Sequence, residues 1–202
     1  MITIVDYKVG NLGSISNMLK KIGSPSIITS NKEEIRKAEK LILPGVGAFD
    51  SGITSLKKLD LWDVLNEKVL EEKVPVLGIC LGMQLLCNSS EEGIEKGLGW
   101  IDAKVKKFRF DETKFKVPHM GWNYTNSQKQ SLLTQDLPEN PKFYFVHSYY
   151  VQTEDNSAIL RTEYNFPFDS AVEKDNILGV QFHPEKSHKY GMKLLDNFIK
   201  RY

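Results

Sequence analysis

With 202 residues, 41% of them apolar and 26% charged, the sequence has the balance of a single α/β domain (residues 1–202) able to bury a core. Its formal net charge of +1 leaves no electrostatic footprint for nucleic acid or an anionic membrane. Two cysteines, Cys80 and Cys87, are too few for a disulfide framework and lack metal-ligand spacing, so a cytoplasmic protein with no metal and no cofactor is expected.

The apolar start Ile2–Val5 reads as a strand ending at Asp6, without the basic flank of a signal peptide. A glycine-punctuated loop, Tyr7–Gly13, leads into a helix from Ser14 to Ile22 whose apolar residues keep one face. Ser26–Thr29 is a second strand, and Ser30–Glu33 a capping box for a helix through about Glu39. Leu41–Leu43 is a third strand running into Pro44-Gly-Val-Gly47. Helical patterns cover Gly52–Leu59 and Trp62–Glu72, and an apolar run from Val74 forms a strand that ends at Cys80. The uncharged stretch from Val74 to Asn88 contains glycines and a proline and is shorter than the roughly 20 residues needed to span a bilayer. Strand–helix alternation of this kind predicts right-handed βαβ units, a parallel sheet covered on both faces, and function at the carboxyl ends of its strands. Asp6, Pro44–Gly47 and Cys80 all fall at such ends.

The second half changes to β-rich patterning. Strands are expected at Ala103–Phe110, Phe143–Val146, Tyr149–Gln152, Ala158–Thr162, Ser170–Glu173 and Ile177–Phe182, with a hairpin at Lys174–Asn176. Pro118–Asn123 reads as a loop, as do the polar segments Asp111–Lys116 and Asn126–Asn140. Met192, Leu195, Ile199 and Tyr202 trace one face of a terminal helix. The expected architecture is therefore three-layer α/β, an open and mostly parallel sheet with an added β-rich second half.

The chemistry starts from Gly78-Ile-Cys80-Leu-Gly82. A cysteine between glycines, after a strand and before a helix, has the shape of a nucleophile elbow, in which a tight turn needs residues without a Cβ. The helix N-terminus favours thiolate at Cys80, and the Leu81 N–H can meet a developing oxyanion. A buried structural cysteine is the competing reading, and it is the simpler one for Cys87. Among the four histidines, His183 follows a strand, is fixed by Pro184 and has a carboxylate, Glu185, two residues on. That is the spacing for a base and its orienting group. His119 and His147 lie beside aromatic residues and suit packing or a substrate face, and His188 suits the surface.

Taken together, Pro44-Gly-Val-Gly-Ala-Phe49, Gly78-Ile-Cys-Leu-Gly-Met-Gln84 and Val180-Gln-Phe-His-Pro-Glu185 resemble, in order, the three signatures of class I (triad-type) glutamine amidotransferases, whose fold is flavodoxin-like. A closer resemblance is to the glutaminase subunits of imidazole glycerol phosphate synthases. Asp6-Tyr7, Gly10-Asn-Leu12, Pro118–Asn123, Phe145–Tyr149 and Glu185-Lys-Ser187 carry it, and it spans the chain.

The resemblance implies Cys80 as nucleophile on the side-chain amide of L-glutamine, His183 as proton acceptor and donor, and Glu185 as its orienter. It implies an oxyanion hole from Leu81 and Val46, and because Gly45 and Gly47 flank Val46 and would permit its peptide to turn, the Pro44–Gly47 loop is expected to switch the hole between inactive and active states. Gln84, Glu92, His147, Ser148 and Tyr149 are the candidate glutamine-binding residues. Ammonia would pass to a separate (βα)8-barrel cyclase subunit (HisF) in a heterodimer, with Asn11, Trp122 and Lys186 facing it. Lys8, Gly13 and His188 depart from residues frequent in that family, which leaves open a barrel-like surface-sugar enzyme as the acceptor. A stand-alone Cys-His-Glu hydrolase and a non-catalytic binding module are the remaining alternatives.

Overall fold

A computed structural model describes residues 1–110, 113 and 115–202. Through the first half β1 (Ile2–Val5), α1 (Leu12–Lys21), β2 (Ser26–Thr29), α2 (Lys32–Arg36), β3 (Lys40–Gly45), α3 (Phe49–Lys58), α4 (Trp62–Asn66), β4 (Val76–Cys80) and α5 (Leu81–Leu85) alternate as expected. The second half adds β5 (Ser89–Ser90), β6 (Ala103–Lys107), β7 (His119–Tyr124), β8 (Asn126–Ser127), β9 (Lys142–His147), β10 (Tyr149–Thr153), β11 (Ala158–Tyr164), β12 (Phe166–Lys174), β13 (Ile177–Val180) and a terminal helix, α6 (His188–Arg201).

The main sheet runs β2-β1-β3-β4-β13-β12-β10-β6-β5, with β11 and β8 branching from β12. Its first five strands are parallel, and β12, β10 and β6 then continue it antiparallel. The late strand β13 thus inserts between β4 and the antiparallel half. The topology is the expected open sheet, flavodoxin-like in its parallel half, with a β-rich second half added. Alternation along β3 sorts the core: Leu41 and Leu43 pack with Ile53, Leu56 and Val64 of α3 and α4, while Ile42 packs with Ile15, Leu19, Leu195 and Phe198 of α1 and α6. Successive side chains of a strand point to opposite faces, so one short strand serves both helical layers.

Several boundaries differ from the sequence reading. Helix α3 begins at Phe49 rather than Gly52. The span predicted as one helix to Glu72 changes at Asn66 to a π-helical turn, Glu67–Glu71. In α6 the fully buried apolar side chains are Leu194, Leu195 and Phe198, so Met192 and Ile199 border the buried face. The larger correction is Pro118–Asn123. Instead of a loop, His119–Tyr124 forms β7, paired antiparallel with β9 from His119↔His147 to Tyr124↔Lys142. A strand whose partner lies some twenty residues away in sequence leaves no local signal beyond alternation, and here glycine, asparagine and histidine mask it. Of the segment Asp111–Lys116, Asp111, Glu112 and Lys114 lie outside the described residues.

Lys40 ties the sheet to the end of α6. Its ammonium donates to the main-chain oxygens of Ile199 at 2.6 Å and of Tyr202, placing a cation on carbonyls that have no helical partner. Lys40→Met is expected to lower the unfolding free energy by about 1–2 kcal/mol, read as a lower urea midpoint at unchanged m-value.

Candidate active site

Three parallel strand ends meet at one place. Gly45 at the end of β3 is paired with Cys80 at the end of β4, and Ile79 is paired with Val180 at the end of β13. The elbow's glycines have distinct reasons. A Cβ on Gly78 would come within 2.8 Å of the Gly82 and Met83 backbone, and one on Gly82 would overlap the Leu43 carbonyl. Cys80 itself sits at φ 54°, ψ −110°, a left-handed conformation that costs a residue with a Cβ about 1–3 kcal/mol and points to a turn held by its surroundings. Helix α5 is only Leu81–Leu85, so less macrodipole stands behind Cys80 than a long helix would supply, and Cys87 falls just beyond the helix. Burial pushes the Cys87 thiol pKa far up, which makes it inert beside Cys80.

His183 is held from both sides. Its N–H donates to the Tyr144 carbonyl of β9 at 2.9 Å, and its own carbonyl accepts the Ser187 hydroxyl at 2.6 Å. Nδ1 lies 2.7 Å from Glu185 Oε1, with the two side chains 3% and 4% exposed. Nε2 has no hydrogen-bond partner and is left for the Cys80 side. Burial acts to lower the imidazole pKa, but interactions with Cys80 and with Glu185 outweigh it and raise the pKa to about 9. The group is therefore an imidazolium at neutral pH and loses its proton only near pH 9. A leaving amine protonated by His183 would accordingly depart more slowly as pH rises through about 9. Glu185→Gln, which removes the neighbouring negative charge, is expected to move that descending limb to lower pH in a pH–rate profile taken from pH 6 to 10.

A cavity of about 460 Å³ opens over these groups, lined by Val46, Gly47, Ala48, Cys80, Gln84, Glu92, Val146, His147, Ser148, Tyr149 and His183. It brings together all the residues singled out in sequence for glutamine, together with Val46 and Gly47. Leu81 is at the first turn of α5 beneath it. Val46 is 46% exposed, and Gly47 has φ +108°, a value that favours glycine. Several of these residues also have structural partners. Glu92 accepts the Phe49 N–H at 2.8 Å, capping α3. His147 lies in a strand rather than a loop, and its ring nitrogens contact the Tyr149 carbonyl and His119, so what it offers the cavity is a wall.

Asn11 is exposed and caps α1, accepting the Ser14 N–H at 3.4 Å. Lys186 lies over the Tyr144 ring, 5.5 Å from its centroid. Trp122 is 39% exposed, not core, and stacks flat on His188 at 5.3 Å and 1°. With Met120 and Tyr124, also exposed, it forms an apolar stripe along β7. Lys8 pairs with Asp6 at 2.8 Å.

Sequence reasoning passed over Gln181 and Tyr7. Gln181 is fully buried and places Nε2 3.7 Å from the Cys80 sulfur. The Tyr7 hydroxyl is buried without a partner beneath Gly45. The alternation of Ile177–Phe182 could have marked Gln181 as an inward polar residue on a buried strand. Among the described residues no group of three or more His, Cys, Asp or Glu is placed to hold a metal ion. Nor is any helix among them long and apolar enough to cross a membrane.

These strand ends thus carry a strained cysteine and, beside it, a buried His–Glu pair, groups able to support nucleophilic attack with proton transfer. Consistent with that chemistry, the family model for glutamine amidotransferase class-I matches residues 3–202, and the chain belongs to that family. The chain is 63% identical, over 202 residues and the whole of both chains, to imidazole glycerol phosphate synthase subunit HisH 2 of Methanococcus maripaludis. It is 49% identical to the subunit of the same name from Pseudomonas aeruginosa, over 99% of each. A solved glutamine amidotransferase superposes with a TM-score of 0.77 at 16% identity, covering 98% of this chain and 97% of that one, a likeness of fold.

Proposed function

We propose that this chain is the glutaminase subunit of an imidazole glycerol phosphate synthase in histidine biosynthesis, acting in the cytoplasm as a single-domain protein in a heterodimer with a (βα)8-barrel cyclase. The observation that carries this reading is the meeting of Cys80 and His183 in one cavity, with Glu185 bonded behind His183 at 2.7 Å, in a chain 63% identical over its full length to a subunit of that name. Cys80 attacks the carboxamide carbon of L-glutamine, and the tetrahedral oxyanion is met by the N–H groups of Leu81 and Val46. Such a donor supplies about 2.7–4 kcal/mol of transition-state stabilisation. The imidazolium of His183, oriented by Glu185, gives its proton to the leaving nitrogen, so ammonia departs and a γ-glutamyl thioester remains. His183 then takes a proton from water, which cleaves the thioester to glutamate and returns the Cys80 thiolate beside the imidazolium. Gln84, Glu92, Ser148 and Tyr149 hold the amino-acid end, with His147 as wall.

Ammonia leaves toward the acceptor. A small cavity of about 30 Å³, room for about one water-sized molecule, lies behind the site between Val46, His183, Asn11 and Lys186. With the exposed stripe of Met120, Trp122 and Tyr124 it supports a partner face on this side. The flat stacking of His188, a departure from the family pattern, on Trp122 favours a second reading in which the barrel is a surface-sugar amidotransferase and the glutaminase chemistry is unchanged. Glutamate formation measured with the chain alone, with each barrel, and with each barrel plus its acceptor substrate tests this. Strong stimulation by the histidine-pathway cyclase and its ribonucleotide is expected. Stimulation only by the sugar enzyme would transfer the assignment, and full activity alone would remove the partner.

A further inference from the structure

A buried run of polar side chains joins strand β7 to the sulfur of Cys80, and its direction follows from one group that can only accept. The Tyr149 carbonyl receives His147 Nδ1–H at 2.7 Å and Gln84 Nε2–H at 3.2 Å. His147 therefore carries its proton on Nδ1, and its Nε2 accepts from His119 Nδ1 at 2.9 Å. His119 Nε2 in turn accepts from the Asn123 amide at 3.2 Å. On the other side, the Gln84 nitrogen gives its second N–H to Gln181 Oε1 at 3.0 Å. With its oxygen taken, Gln181 can present only its nitrogen to Cys80, at 3.7 Å from the sulfur.

The histidine pair keeps this direction at working pH. Burial lowers the pKa of His119 to about 4 and, with His119 beside it, that of His147 to about 3, so both rings are neutral. A neutral pair with assigned tautomers is a rigid acceptor–donor relay, whereas a protonated ring would face a donor with a donor. The other groups facing Cys80 are the His183 imidazolium, with Glu185 behind it, and the buried Tyr7 hydroxyl after β1.

We propose that Gln181 is a further catalytic residue, an oriented N–H donor that stabilises the Cys80 thiolate, and that Gln84 and the His119–His147 pair are positioning residues that set the direction of its amide. This rests on Cys80 being the nucleophile. A carboxamide free to turn would present oxygen to sulfur half the time and repel the thiolate. Locked by Gln84, it presents nitrogen throughout, at no reorganisation cost when the thiolate forms.

The test is the rate of alkylation of the full chain by iodoacetamide between pH 5 and 10, with Cys80→Ala as the background. Gln181→Met, similar in volume and unable to donate, is expected to react about five- to tenfold more slowly at pH 7, with its rise displaced to higher pH. Gln84→Met, one bond further away, should give a smaller displacement in the same direction. Gln128→Met, an exposed glutamine outside the relay and the site, should give none. A folded Gln181→Met chain whose profile superimposes on the wild type overturns the proposal. If that variant does not fold, an unshifted Gln84→Met profile overturns it equally. The readout needs neither glutamine nor a partner, so loss of the glutaminase reading would appear separately, as glutamate formation surviving Cys80→Ala.

Discussion

Cys80→Ala is expected to reduce glutamate formation by about ten-thousand-fold or more, with the fold intact. Removing a nucleophile that initiates a covalent route leaves only binding and oxyanion stabilisation, and single deletions within such a unit cost nearly as much as removing all of it. Alanine also has little reason to disturb the elbow. The strained backbone at φ 54° is set by Gly78, Gly82 and the pairing of β4 with β3 and β13, and alanine carries no more at Cβ than cysteine does. Glutamine should still bind, because the residues lining the cavity remain. The measurement is glutamate release in the presence of the barrel partner, alongside a thermal melt. Turnover within tenfold of the wild type would remove the covalent mechanism.

Gly82→Ala is expected to be the most damaging substitution of similar size. Its Cβ would overlap the Leu43 carbonyl, a backbone atom of a paired central strand with no rotamer to move aside. Relief requires α5 to lift from β3 or β3 to shift, and either displaces the proposed oxyanion donors at Leu81 and Val46 relative to Cys80. Overpacking of this kind costs about 1–3 kcal/mol, and more where backbone must give. A lower urea midpoint, together with activity reduced at least about a hundredfold in whatever remains folded, would be seen. Gly13→Ala, with nothing within 4 Å of the added carbon in helix α1, is the control and should leave activity unchanged with a urea midpoint equal to or slightly above the wild type.

The elbow, the Pro44–Gly47 loop and the His-Pro-Glu turn were legible because each is local. A few residues at fixed spacing must be glycine, proline or a reactive side chain, and the strand–helix period around them is short. The helix beginning at Phe49 and the π-helical turn after Asn66 were less legible. Ala48 at the N-cap of the first offers no capping side chain, the cap coming from distant Glu92, and the second keeps a helical sequence pattern while changing its hydrogen bonds. Strand β7 was misjudged because its evidence is non-local, a register with β9 supplied by residues far along the chain.

Taken by itself, the sequence determined the α/β class and the order of strands and helices in the parallel half, and it singled out Cys80, His183 and Glu185 as candidates, since these follow from short-range periodicity and turn chemistry. Only the tertiary structure decided that β13 lies beside β4, which carries His183 to a cysteine about a hundred residues earlier in the chain. It alone decided, too, that His147 is tied to His119 rather than free for substrate, and that Gln181 points at the sulfur. Hydrogen-bond direction and strand adjacency depend on which groups meet once the chain is closed, and no spacing along the chain specifies that.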